Sequence, residues 1–218
     1  MASNTPAHKR NQGALHRHQA YPEALRRALA AVDEELHPEL IARSQQGDRE
    51  AFSQLIKILL PSISIIAKDV VGGYGTECVE DTADEVVAQI QGTIHSYRSE
   101  YSFRAWVARV CYNVCVTEGR KAKRYRQFVE PLPDDFDIED NSPPDADADF
   151  SRERLYKLMR PVPEKYRVVL LLEYMFDLSD GEISQTLDIP LGTVKSRKSR
   201  GMNWLRTNWP PSTWEWLT

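Results

Sequence analysis

The chain has 218 residues, 41% of them hydrophobic and 28% charged, with a formal net charge of -4 at pH 7. That length holds one domain or two small ones, and the balance fits a globular fold rather than a wholly disordered chain. No apolar run approaches the ~18 residues that span a bilayer, and the polar N-terminus lacks a signal-peptide core, so no membrane insertion and a cytoplasmic location are expected.

In chain order, residues 1 to about 20 are polar and aperiodic, which predicts disorder. Leu25, Leu29, Val32 and Leu36 carry the period of an amphipathic helix. Leu40 to Gln46 predicts a second, stopped at Gly47. Asp48 is placed to cap a third, which buries Phe52, Leu55, Ile56 and Leu59 and is kinked or divided at Pro61. Gly72, Gly73 and Gly75 mark a loop. The next helix runs from about Val79 to Ile94, with Val86, Val87, Ile90 and Ile94 as its apolar side. Ser102 opens a long helix with Phe103, Trp106, Val107, Val110 and Val114 inward, ending in Arg120, Lys121, Lys123, Arg124 and Arg126. The period assigns Phe103 and Trp106 to the core.

Composition then changes. Residues 130–149 hold nine carboxylates, no Lys or Arg, and four prolines, which reads as an extended, solvated linker. Helical pattern resumes with Leu155 and Leu158 and then from Pro163 to Met175. No alternating strand pattern and no repeat occurs, so the fold class is all-α in two parts.

The three cysteines, Cys78, Cys111 and Cys115, are an odd count in a chain without a disulfide framework. Cys111 and Cys115 share a helix face, but zinc wants further ligands at close spacing. They are expected to be small buried side chains. No catalytic residue, metal site or cofactor is expected.

The last segment, SDGEISQTLDIPLGTVKSRKSRGMNWLR, carries the most information. Ser179 and Glu182 form a Ser-x-x-Glu capping box. Ile183 and Leu187 seat the first helix, Asp188-Ile189-Pro190 turns the chain, and a second helix starts near Leu191. Val194, Gly201 and Leu205 lie on one side of it, while Thr193, Lys195, Ser196, Arg197, Ser199 and Arg200 fall elsewhere. From Lys195 to Arg206 there are five basic residues and no acid. This is the division a DNA recognition helix needs, with apolar residues to seat it and basic and hydroxyl groups to reach phosphates and base edges.

These residues resemble a known family. LSDGEISQTLDIPLGTVKSRKSRGMNWLR is similar to the second conserved region of extracytoplasmic-function (ECF) sigma factors, small bacterial RNA polymerase subunits of the sigma-70 superfamily. The stretch IPLGTVKSR is its most specific part. ELIARSQQGDREAFSQL, from Glu39, resembles the start of the family's first conserved region. SFRAWVARVCYNVCVTEGRKAKR, from Ser102, resembles the helix that opens and holds promoter DNA.

The resemblance implies an N-terminal extension (1–37), a sigma region 2 bundle (38–126), an acidic linker (127–149), a sigma region 4 helix-turn-helix (150–208) and a Trp-rich tail (209–218). Core RNA polymerase (its β′ clamp and β flap) and promoter DNA are the implied partners, with an anti-sigma factor as a possible regulator. Asp81, Asp84 and Glu85 stand where such proteins dock on the β′ clamp; by spacing alone they are equally a solvated acidic face. Arg98, Ser99, Glu100 and Tyr101 stand in the loop that holds a flipped base of the −10 element. Arg109, Asn113, Arg120, Lys121, Lys123 and Arg124 would meet −10 DNA. Thr193, Lys195, Ser196, Arg197, Ser199 and Arg200 would read the −35 element. The acidic linker either keeps the chain extended or mimics a phosphate chain in a basic channel.

Two departures from the family pattern stand out. Thr82-Ala83 replaces two bulky apolar residues beside the acidic face, and phosphorylation of Thr82 would add charge there. Lys198 takes a place usually aliphatic, and its stem is expected to cover the core while its ammonium points outward.

Overall fold

The computed structural model describes residues 36–98, 102–128 and 152–208. Among them the secondary structure is helical throughout, in agreement with the all-α expectation. The expected helix around Leu25 to Leu36, the acidic linker and the Trp-rich tail lie outside the described residues.

The first half is built around α2 (Arg49–Val71), against which α1 (Pro38–Gln45), α3 (Thr76–Thr93) and α4 (Phe103–Phe128) pack. Asp48 caps α2 as its position predicts. Its Oδ1 accepts from the amides of Glu50 and Ala51, both at 3.0 Å, and its Oδ2 pairs with Arg43 at 2.6 Å. Those amides lie among the donors that a helix start leaves without partners. Pro61 does not divide the helix: α2 runs unbroken through it. Proline removes one backbone hydrogen bond, and here Leu59, Ser62, Ile63, Ile65 and Ile66 are buried around it and hold the flanking turns. Packing outweighs the local penalty.

Ser102 opens α4 as expected, its Oγ accepting from Ala105 N at 3.3 Å. Phe103, Val107, Cys111 and Cys115 point inward, and both of these cysteines are fully buried. Trp106 is half-buried and forms an aromatic cluster with Tyr97 and Phe103, with ring centroids 5.0 to 5.8 Å apart. The second half holds α5 (Arg152–Met159), α6 (Glu164–Phe176), α7 (Asp180–Leu187) and α8 (Leu191–Asn208). Helix α6 is its centre, buried along Val168–Leu172 and at Met175 and Phe176.

The two halves are not separate in this structure. Helices α2 and α4 pack on α5, α6 and α7, and the apolar core runs continuously from Leu55 to Leu205. Polar groups cross the seam. Ser62 Oγ donates to the carbonyl of Met175 at 2.9 Å. The Arg167 guanidinium pairs with Asp69 and also donates to the carbonyls of Arg160 and Val162 at 2.6 and 2.8 Å. Arg104 Nη1 lies 3.7 Å from Asp177 Oδ2. The Lys68 ammonium sits 5.8 Å from the centre of the Tyr156 ring.

The Asp69 side chain is only 3% exposed. Burial pushes its carboxyl up to about 6, against the pull of Arg167 and with some repulsion from Glu164. A pKa raised in the packed state means the seam binds that proton more tightly than an exposed aspartate does. The cost of the buried charge is therefore full above about pH 6 and is relieved as pH falls toward the ordinary value of 3.8. Thermal unfolding compared between wild type and D69N should show it: the difference in midpoint shifts in favour of wild type between pH 7.5 and 5, and a difference constant with pH would refute the assignment.

Candidate nucleic-acid interface

The helix-turn-helix forms for local reasons. The amide of Glu182 donates to Ser179 Oγ at 3.3 Å and the amide of Ser179 donates to Glu182 Oε2 at 2.7 Å, which completes the capping box. Asp188 ends α7 in the left-handed region, at φ 52°, which aspartate tolerates better than most residues. Ser184 Oγ donates to the carbonyl of Ile189 at 2.6 Å and fixes the turn. Pro190 then leads into α8, its carbonyl accepting from Thr193 and Val194.

Val194, Gly201 and Leu205 are buried, as their spacing predicts. Gly201 lets α8 approach α6 closely: a Cβ there would lie 3.0 Å from Leu170 Cδ1 and 3.3 Å from Tyr166 Cβ. With that side seated, Lys195, Ser196, Ser199 and Arg200 are exposed, while Thr193 and Arg197 are half-buried. Arg200 lies beside the Tyr166 hydroxyl and holds its pKa below the ordinary value.

Lys198 differs from expectation. Its ammonium turns inward, 2.5 Å from Glu173 Oε1 and 3.3 Å from Asp180 Oδ1. Burial alone would depress its pKa, but Glu173 and then Asp180 raise it above the ordinary value. The glutamate on α6 makes an aliphatic residue unnecessary here, since the two charges neutralise each other under α8.

The basic face of α4 is exposed along a stripe. Arg109, Asn113, Arg120 and Arg124 are spaced so that they share one side of the helix, with Lys123 at its edge, and all five are exposed. Lys121 is exposed and pairs with Glu118 at 2.7 Å. Such a stripe suits contact with phosphates, which is blind to sequence and weakened by salt. Arg98 is exposed at the foot of the loop that follows α3; Ser99, Glu100 and Tyr101 lie outside the described residues. That foot is tied down by Gln45, whose side-chain amide donates to the carbonyls of Ile94 and Tyr97 at 3.1 and 2.8 Å. Nothing in the sequence singles out Gln45, because its partners lie about fifty positions away.

Asp81, Asp84 and Glu85 are all exposed on one face of α3, and Asp81 and Glu85 line a shallow groove against α4 together with Glu77, Cys78 and Tyr125. Glu77 extends the acidic face by one turn at the same four-residue spacing, a signal already present in the sequence. Burial, with smaller contributions from Asp81 and Glu118, pushes the Cys78 thiol up against the opposing pull of its hydrogen bond to Thr82, so it is no reactive thiolate. Thr82 is only 2% exposed. A kinase cannot reach it in the folded chain, and phosphorylation there is set aside.

Residues 152–205 match the family model described as Sigma-70, region 4. The chain is similar to the ECF RNA polymerase sigma factor SigW of Bacillus subtilis, 28% identical over 184 residues that cover 76% of this chain and 92% of that protein. It is also similar to the ECF RNA polymerase sigma-E factor of Escherichia coli K12, 25% identical over 72% of this chain and 86% of that one. Among solved structures, RpoE from Bartonella quintana in complex with the anti-sigma factor NepR shares the fold with a TM-score of 0.58, 19% identity and coverage of 72% and 94%. CnrH in complex with the cytosolic domain of CnrY shares it with a TM-score of 0.52, 18% identity and coverage of 77% and 93%.

Proposed function

We propose that the chain is an ECF sigma factor of the sigma-70 family, a reading supported by the region 4 match and the similarity to ECF sigma factors, and that its two halves divide the work of promoter-directed initiation. Residues 150–208 read the −35 element through Thr193, Lys195, Ser196, Arg197, Ser199 and Arg200. Residues 38–126 hold and open the −10 element, with the stripe from Arg109 to Arg124 on the phosphates and Arg98, Ser99, Glu100 and Tyr101 around an unstacked base. Extruding a base costs a few kcal/mol, offset by stacking and edge hydrogen bonds. The acidic face of Asp81, Asp84 and Glu85 docks on the β′ clamp of core polymerase, where charge complementarity sets orientation and association rate. The chain performs no chemistry; polymerisation belongs to the core enzyme, in the cytoplasm.

The observation that carries this reading is the conjunction of three exposed charged faces on one chain: a basic recognition helix, a basic stripe on α4 and an acidic face on α3. A repressor needs only the first. Control by an anti-sigma factor is part of the proposal, supported by the shared fold with a sigma factor solved in complex with one. Run-off transcription with purified core polymerase tests the reading. Promoter-specific transcripts that depend on this chain are expected; tight operator binding without them would make it a polymerase-independent regulator instead.

A further inference from the structure

We propose that Tyr166 is a positioning residue for DNA reading: from α6 it holds the guanidinium of Arg200, on the recognition helix, in one orientation toward the duplex. The inference rests on the reading of α8 as the helix that meets the −35 element, and it adds a residue from α6 to that site.

Helices α6 and α8 come close together one residue from Arg200. Gly201 has no side chain, and a Cβ there would lie 3.3 Å from Tyr166 Cβ and 3.0 Å from Leu170 Cδ1. Tyr166 is itself anchored. Its amide donates to the carbonyl of Pro163 at 2.8 Å, in the first turn of α6. The residue is half-buried against the apolar core, and the Lys165 ammonium sits 5.0 Å from the centre of its ring. A ring held in this way keeps its phenol oxygen at a fixed point beside Arg200. The guanidinium donates to that oxygen. This bond, aided by the charge of Lys165, outweighs burial and holds the phenol below its ordinary pKa.

Arginine carries five N–H donors in one rigid plane. Directing one of them to the phenol fixes that plane, and the others remain as a fork that matches the oxygens of a phosphate. An exposed arginine without such a tether samples many rotamers, and ordering it on binding lowers affinity. Tyr166 does part of that ordering before DNA arrives. Its hydroxyl adds no cation to the interface, so it changes how well Arg200 is placed and not how many counterions the DNA releases.

The test uses the full chain in complex with core polymerase. The probe is duplex DNA that this complex selects from a random-sequence pool. Y166F keeps the ring and removes the hydroxyl. It should lower affinity for the selected duplex by about fivefold and leave the slope of log affinity against log salt unchanged. The thermal midpoint of the full chain should stay within a degree or two of wild type. R200A should weaken binding further and lower the slope by about one, and Y166F/R200A should bind no more weakly than R200A. That missing second loss separates positioning from support of the fold, because a tyrosine that merely propped α8 would act in both backgrounds. Wild-type affinity in Y166F would overturn the proposal, as would a loss that adds in full to that of R200A. Wild-type affinity in R200A would remove Arg200 from the interface and the role of Tyr166 with it. Selection of no duplex at all would overturn the sigma reading itself.

Discussion

The double reversal D81K/E85K is expected to weaken binding of the full chain to core polymerase by about a hundredfold, close to 2.7 kcal/mol. Both carboxylates are exposed on α3, so the change removes no packing and buries no charge. Its cost falls on recognition. A surface that now repels a basic docking site loses association rate first, and like charges brought together add a further penalty. Two controls separate docking from damage. The thermal midpoint should stay within a degree or two of wild type, and affinity for a duplex carrying only the −35 element should not fall. The defect should also shrink as salt is raised, because screening acts on exposed pairs. Unchanged co-purification with core would remove the acidic face from the docking assignment.

K198M is expected to destabilise the chain by about 2–3 kcal/mol, one of the larger effects open to a single position outside the apolar core. The Lys198 side chain is 34% exposed, which sets the figure below that for a fully enclosed pair. What makes the loss large is the partner. Glu173 is only 5% exposed, and without Lys198 its charge sits under α8 with its cation gone. The double change K198M/E173Q should recover most of the loss, since it deletes both charges at once. Urea or thermal unfolding measures both. The pair acts between α6 and α8, so DNA binding distinguishes it from a phosphate contact. K195A and R200A should each lower the slope of log affinity against log salt by about one, whereas K198M should leave it unchanged in the folded fraction. The sign with pH follows from the raised pKa: the contribution is present below about 10.5 and is lost as pH rises through the still higher value in the folded chain.

Phosphorylation of Thr82 seemed open from the sequence because its neighbours Asp81, Asp84 and Glu85 lie on an exposed face. A helix turns 100° per residue, so one step from Asp81 is enough to carry Thr82 from solvent into the core. Its small volume beside Ala83 sets how closely α3 packs and leaves the acidic face itself intact.

Local patterns determined much of this protein. Helix order, the Asp48 cap, the Ser179–Glu182 box, the turn at Asp188–Pro190 and the seating of Val194, Gly201 and Leu205 are all legible because each depends on residues within a few positions of one another. The charged faces were legible for the same reason, since helical period alone places them. Tertiary structure alone decided the rest. Pro61 stays inside α2 because packing on either side outweighs a lost hydrogen bond. Lys198 turns inward because Glu173, a full helix away, supplies an anion. Asp69 meets Arg167 across 98 positions, and neither residue carries any periodic signal of that meeting. Contacts between distant segments are set by which surfaces come together when the helices pack, and no local spacing encodes them.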